Sequence, residues 1–233
     1  MNLFYITGTS SGIGFALAKL LLQDKNNIVI GISRRCNIEH KQYHHIKHDL
    51  SVPISEEIFE PVDDSFTKIV IINNAGVVGP VTFVGKQSTE DIAQNFNVNL
   101  VAPSLLCNHF IHAYKKHSSL KMIINVSSGA GKHAIESWST YCASKSGLDM
   151  FSMVMQQEHP EFKVFSIAPG IVDTEMQEAI RQANKEDFPH LERFKSYKQN
   201  NELTSAVEVA KKFLHVIQNP ENFDQVIFSV RDF

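Results

Sequence analysis

A tyrosine and a lysine four positions apart, in Tyr141-Cys142-Ala143-Ser144-Lys145, share one face of any helix that carries them. A free phenol titrates at about 10 and exchanges protons poorly at neutral pH, but a neighbouring ammonium favours its phenolate, so the pair can do acid–base work. The same spacing also arises as an exposed pair on a helical surface. Ser128 stands thirteen residues before Tyr141, just past an apolar run. A hydroxyl at the carboxyl end of a buried strand can face a ligand crevice, although Ser127-Ser128 is also ordinary turn chemistry. A second constellation is Thr7-Gly8-Thr9-Ser10-Ser11-Gly12-Ile13-Gly14, between an apolar run and a helical segment. Its glycines let backbone approach a pyrophosphate, and the helix start offers unpaired N–H donors and a positive dipole end. Glycines at such a turn also serve tight geometry alone. The spacing G-x-x-x-G-x-G differs from the commoner G-x-G-x-x-G.

The elements that must hold these residues are readable from periodicity. Runs rich in Val, Ile and Phe recur at Leu3–Thr7, Ile28–Ile32, Lys68–Ile72, Lys121–Val126, Lys163–Ala168 and Gln225–Ser229, and a weaker strand, His44–His48, lies between the second and third of them. Several are apolar at consecutive positions, as in a parallel sheet covered on both faces. Helical periodicity lies between them, as in Phe15–Leu22, around Leu148–Met155 and in Val207–Ile217. Asn97–His117 can hold a long helix with Pro103 in its first turn. Alternating strand and helix predict a doubly wound α/β fold of Rossmann type, with a parallel sheet of about seven strands flanked by helices.

No repeat or Pro/Gly/Ser linker divides the 233 residues, so the expectation is a single dinucleotide-binding catalytic domain over 1–233. One stretch, at about 174–201, breaks the rhythm by turning polar and helical. It is longer than an ordinary connection, and it reads as a helical insertion that caps the crevice with Met176, Ile180, Phe188, Leu191 and Phe194. The 22 basic and 25 acidic residues leave a net charge of -3, which argues against nucleic acid or membrane as partner and for a small molecule. Three widely spaced cysteines, no basic leader and no long apolar span predict a cytoplasmic protein. The histidines at 40, 44, 45 and 48 lack the paired spacing of a metal site, so no metal is expected.

Taken together and in order, the glycine motif, Asn73-Asn74-Ala75-Gly76, Asn99, Ser128, Tyr141, Lys145 and Pro169-Gly170 resemble the short-chain dehydrogenase/reductase family over nearly the whole chain. Val172-Asp173-Thr174-Glu175-Met176-Gln177 and the segment after it resemble the sepiapterin reductase-like branch, which includes bacterial benzil reductases. The resemblance implies that Tyr141 donates a proton to a carbonyl under reduction, Ser128 hydrogen-bonds the carbonyl oxygen, and Lys145 lowers the phenol pKa and holds a nicotinamide ribose. Asn99 would support a water-linked proton relay. It further implies cofactor contacts at Asn74, Ala75, Gly76, Pro169, Gly170, Ile171 and Thr174, and a homodimer or homotetramer packed through the helices around Asn99–Tyr114 and Tyr141–Gln157. In sepiapterin-reducing relatives an acidic residue near the C-terminus helps hold the pterin, a place near which Asp232 lies.

Cofactor choice follows from Ile32-Ser33-Arg34-Arg35. An acid here would grip the ribose hydroxyls of NAD and repel a 2′-phosphate, whereas Ser33, Arg34 and Arg35 favour NADP. Asp49 and Leu50 would sit near the adenine. The expected activity is NADPH-dependent reduction of a small carbonyl or vicinal dicarbonyl, a benzil-like diketone above all, with Met176 and Phe188 on the substrate. The alternatives are a nonenzymatic NADP(H)-binding regulatory protein and an NAD-dependent alcohol dehydrogenase.

Overall fold

The computed structural model describes residues 1–233. Its strands are β1 (Asn2–Thr7), β2 (Asn27–Ser33), β3 (Tyr43–Lys47), β4 (Lys68–Asn73), β5 (Leu120–Val126), β6 (Phe162–Ala168), the short β7 (Val172–Asp173) and β8 (Thr204–Ser205), and β9 (Ile227–Ser229). Its helices are α1 (Gly12–Leu21), α2 (Thr89–Phe96), α3 (Ala102–Tyr114), α4 (Ser139–Glu158), α5 (Glu175–Arg181), α6 (Leu191–Gln199) and α7 (Ala206–Gln218). Seven strands form a parallel sheet in the order β3-β2-β1-β4-β5-β6-β9, while β7 and β8 pair only with each other.

Along β1, Leu3 and Tyr5 pack to one side and Phe4 and Ile6 to the other, and all four are buried. Such consecutive burial requires cover on both faces. Leu17 and Leu21 of α1, with Val209 and Phe213 of α7, cover one face. Leu106, Phe110 and Tyr114 of α3, with Met155 of α4, cover the other. No helix is long and apolar enough to cross a membrane.

The helix expected to begin at Asn97 is already under way there. It starts after Ser88, whose hydroxyl accepts the Asp91 N–H at 3.1 Å, widens into a π turn over Asn97–Val101, and continues as α3. Pro103 therefore lies inside a longer helical run rather than at its start. The π turn accommodates it, because the regular i→i−4 ladder that a proline ring would break is already displaced at that point.

The segment 174–201 contains α5 and α6. The β7–β8 ladder sets Val172 opposite Thr204 and Asp173 opposite Ser205, which brings the two ends of the segment together, and Lys198 on α6 reaches Asp173 at 2.6 Å. Ile180, Phe188 and Leu191 join Val78, Ala130, Trp138 and Tyr141 in a separate apolar cluster that fastens the segment to the body.

Candidate active site

The strand order reverses between β1 and β4, and a cleft of about 1080 Å³ opens beyond the carboxyl ends of the central strands, where ligands bind in open α/β sheets. Ser128, Tyr141 and Lys145 all line it. Ser128 follows β5 and caps a 3-10 turn over Gly129–Gly131, its hydroxyl accepting the Ala130 N–H at 3.2 Å. That turn presses against α4: a side chain on Gly131 would put its Cβ 3.2 Å from the Lys145 carbonyl and 2.9 Å from Asp149 Oδ2. Glycine at 131 thus lets the turn that carries Ser128 lie close against α4, the helix that carries Tyr141 and Lys145.

Burial raises the Tyr141 phenol above its ordinary value, and its hydrogen bond with Ser128 opposes the rise. Burial lowers the Lys145 ammonium to about 8, against the pull of Asp149. Lys145 Nζ donates to the Val126 carbonyl at 2.8 Å and stands 5.9 Å from the Tyr141 ring centroid. Burial is the largest influence on the phenol, which holds its proton at neutral pH.

Asn99 does not line the cleft. Its Oδ1 accepts the Val77 N–H at 3.0 Å, while its Nδ2 donates to the Val77 carbonyl at 2.8 Å and to Asn95 Oδ1 at 2.9 Å. The side chain expected to serve a proton relay is engaged in bracing the segment after Gly76. A Cβ on Gly76 would lie 3.1 Å from Asn99 Oδ1 and 3.7 Å from Lys145 Nζ.

At the other end, Gly8, Ser10, Ser11, Gly12 and Ile13 line the wall beside Ser33, Arg34, Arg35, Asp49 and Leu50. Gly8 and Gly12 hold φ of 74° and 60°, and Ser11 at the head of α1 makes no side-chain cap, so the first N–H groups of the helix remain unspent. This cradle fits a pyrophosphate. Asn74, Ala75, Gly76, Pro169, Gly170, Ile171 and Thr174 continue the same wall. Three members of the glycine motif, Thr7, Thr9 and Gly14, stand behind it. The Thr9 hydroxyl turns inward to Tyr43 at 2.8 Å and Ser33 at 3.3 Å. Gly14 is a packing glycine, since a Cβ there would come 2.5 Å from the Gly8 carbonyl. The Ser51 backbone N–H holds the Asp49 carboxyl below its usual range, with help from Arg34.

Met176 lines the substrate end, whereas Phe188 does not. Phe188 is 0% exposed and stacks on Trp138 at 5.6 Å and 13°, so it supports the wall from behind. Trp138 meets Tyr141 edge-on at 5.7 Å, and Phe194 completes the aromatic surface. Asp232 is also turned away, its carboxylate accepting the Ser229 N–H at 2.8 Å. Sequence reasoning missed Gln177, Arg193 and Arg231 on the wall. Gln177 Oε1 and Trp138 Nε1 are buried without hydrogen-bond partners, a signal that exists only in three dimensions. The histidines at 40, 44, 45 and 48 do not gather with other side chains into a metal-holding group. His45 Nε2 instead lies 3.1 Å from the Ser33 hydroxyl.

A phosphate cradle on the first strand-to-helix turn and a Ser–Tyr–Lys group at the adjoining strand end define a Rossmann-type oxidoreductase site for a nicotinamide dinucleotide. Residues 2–185 match the family described as short chain dehydrogenase, and the chain belongs to the short-chain dehydrogenase/reductase family. It is 35% identical to a benzil reductase ((S)-benzoin forming) of Bacillus subtilis, over all of both chains. The figure is 37% for one from Bacillus cereus, over 95% of this chain and 96% of that one. Sepiapterin reductase of Meriones unguiculatus is 31% identical over 68% of this chain and 61% of its own. The solved KRED1-Pglu enzyme shares the fold, with a TM-score of 0.82 at 22% identity over 98% of this chain and 100% of that one.

Proposed function

We propose that the protein is an NADPH-dependent reductase of vicinal dicarbonyls, with a benzil-like diketone as the favoured substrate. The observation that carries this reading is the meeting, in one cleft, of the Ser128 hydroxyl, the Tyr141 phenol and the Lys145 ammonium with the aromatic wall of Trp138 and Phe194. Full-length similarity to two benzil reductases supports the substrate class. The nicotinamide cofactor supplies hydride when bound. Ser128 hydrogen-bonds the substrate carbonyl oxygen, and Tyr141 gives its proton to that oxygen as negative charge develops there. Burial keeps the proton on Tyr141 at neutral pH, the form that reduction needs. Lys145, charged below about 8, holds the ribose hydroxyls.

NADP is the cofactor because β2 ends in Ser33 followed by Arg34 and Arg35, with no acid to repel a 2′-phosphate. The contact of Arg35 with Glu175, at 3.9 Å between exposed side chains, is too loose to tie that arginine down. Three unpaired cysteines accord with a reducing cytoplasm. Val101, Met150 and Val154 are exposed on or beside α3 and α4, which supports a homodimer or homotetramer packed there. Sedimentation showing a persistent monomer would contradict that assembly. The test of the function is NADPH and NADH oxidation with benzil. Tight NADPH binding without turnover of any dicarbonyl would replace the enzyme with a binding protein.

A further inference from the structure

An arginine stands at the substrate end of the cleft with no partner for its charge. Arg231 follows β9 in a C-terminal turn and lines the cleft. The turn is held firmly: Asp232 accepts the Ser229 N–H at 2.8 Å, the Arg231 N–H donates to the Ser229 hydroxyl at 3.2 Å, and Lys212 donates to the Val230 and Phe233 carbonyls. The guanidinium lies across Gly170, where an added Cβ would come 3.1 Å from Arg231 Nε. No carboxylate pairs with it.

Sheet register sets the backbone that carries this cation two strands from the end that carries Ser128. Val126 pairs with Ile167 and Ala168 pairs with Ser229, so Ser128 stands level with Pro169, and Gly170 with Arg231. Three adjacent strand ends therefore bring Ser128, Gly170 and Arg231 to one cleft, with about 10 Å between the outer two backbones at the usual strand spacing. An arginine side chain and a small ligand span that gap. Arg193 and Lys132 add positive charge at this end, while the carboxylates of the wall, Asp49 and Glu175, stand by Arg34 and Arg35. Since the whole chain carries -3, the positive cleft is a local arrangement that attracts anions.

We infer that Arg231 determines specificity by holding the carboxylate of a 2-oxo acid, and that aryl 2-oxo acids are substrates. The inference rests on the carbonyl-reductase reading above and narrows it, because a 2-oxo acid is a vicinal dicarbonyl with one carbonyl ionised. The keto carbon gains hydride from the reduced nicotinamide, whose C–H bond breaks as the new C–H bond forms. The carbonyl π pair moves to oxygen, which takes the Tyr141 proton. The products are a 2-hydroxy acid and oxidised cofactor, and the phenol regains a proton from water.

The experiment compares phenylglyoxylate, its methyl ester and benzil with NADPH, in the unaltered protein and in Arg231→Gln, Arg231→Lys and Arg193→Gln. Calorimetric titration of mandelate into the NADPH-loaded protein, where no turnover occurs, gives a readout besides rate. Loss of a charge-assisted hydrogen bond predicts that Arg231→Gln raises KM for the acid about 10- to 100-fold and weakens mandelate similarly. The ester's kcat/KM and the KM for NADPH stay essentially unchanged, and Arg231→Lys recovers part of the acid's affinity. Reduction of ester and benzil but not of the acid would overturn the inference and leave the carbonyl-reductase reading standing. Absence of reduction of all three would overturn that reading and the substrate assignment with it, and an unchanged mandelate affinity in Arg231→Gln would overturn the role of Arg231 separately. Equal losses for acid and ester, a matching loss for NADPH, or an acid effect confined to Arg193→Gln would each overturn the assignment of Arg231.

Discussion

The two ends of the cleft are made of different material. The dinucleotide end is largely backbone: turns after β1, β4 and β6, with Gly8 and Gly12 at positive φ and the uncapped head of α1. The substrate end is side chains brought together from distant segments, with Trp138 and Tyr141 from one, Met176 and Phe194 from another and Arg231 from near the C-terminus. A backbone cradle follows from a local run of residues and tolerates changes around it. A side-chain wall depends on what stands behind each member, as Phe188 stands behind Trp138.

Breaking the comparison at its chemical centre gives the largest effect. Tyr141→Phe keeps the ring against Trp138 but removes the transferable proton, and general-acid loss predicts a drop in kcat of about 10²- to 10⁴-fold. NADPH affinity, measured by titration, stays nearly constant. A near-normal rate with benzil would remove Tyr141 from the mechanism.

Next comes Phe188→Ala, which tests whether the substrate wall rests on packing. Emptying a fully buried aromatic site costs about 3–5 kcal/mol of stability, seen as a lower denaturation midpoint, and KM for aromatic substrates rises as Trp138 loses its support. Met176→Ala changes KM with little loss of stability, because Met176 is only half-buried on the wall itself. The opposite pattern would place Phe188 on the substrate and Met176 in the core.

At the dinucleotide end, changing both Arg34 and Arg35 to serine lowers the ratio of kcat/KM for NADPH over NADH by about 10- to 100-fold, the value of a charge-assisted phosphate contact. An unchanged ratio would make them surface residues only. The smallest effect is in pH. Lys145 titrates at about 8 instead of its usual 10.5, so its charge is complete below that pH and lost above it. The kcat/KM for reduction falls with rising pH through about 8, while Tyr141, shifted upward, stays protonated there. Lys145→Arg, which stays charged, moves the fall to higher pH. A fall at the same pH in that variant would assign it to another group.

The contrast also explains what was legible. Apolar runs marked six of the seven strands of the main sheet, with β3 visible only as a weaker segment at His44–His48, and Ser128, Tyr141 and Lys145 share one wall of the cleft. The π turn was not visible, because Asn97–Val101 has the same apolar periodicity as the α-helix around it. Thr9 and Gly14 belong to the right loop, but contacts with Tyr43, Ser33 and Gly8 draw them behind the wall.

By itself the sequence determined the strand-helix order, the phosphate turn, the Tyr141–Lys145 face and the absence of an acid after β2. Each depends on neighbours within a few residues, where helix and strand periods and glycine geometry leave little choice. Only the tertiary structure decided that Phe194 rather than Phe188, and Arg231 rather than Asp232, meets the cleft, that Asn99 turns to Val77, and that burial raises the Tyr141 phenol. Phe188, Arg231 and Asp232 lie outside helix and strand, where no local period fixes a side chain's direction and the distant surface it packs against decides it. Desolvation of a phenol is likewise a sum over segments far apart in the chain.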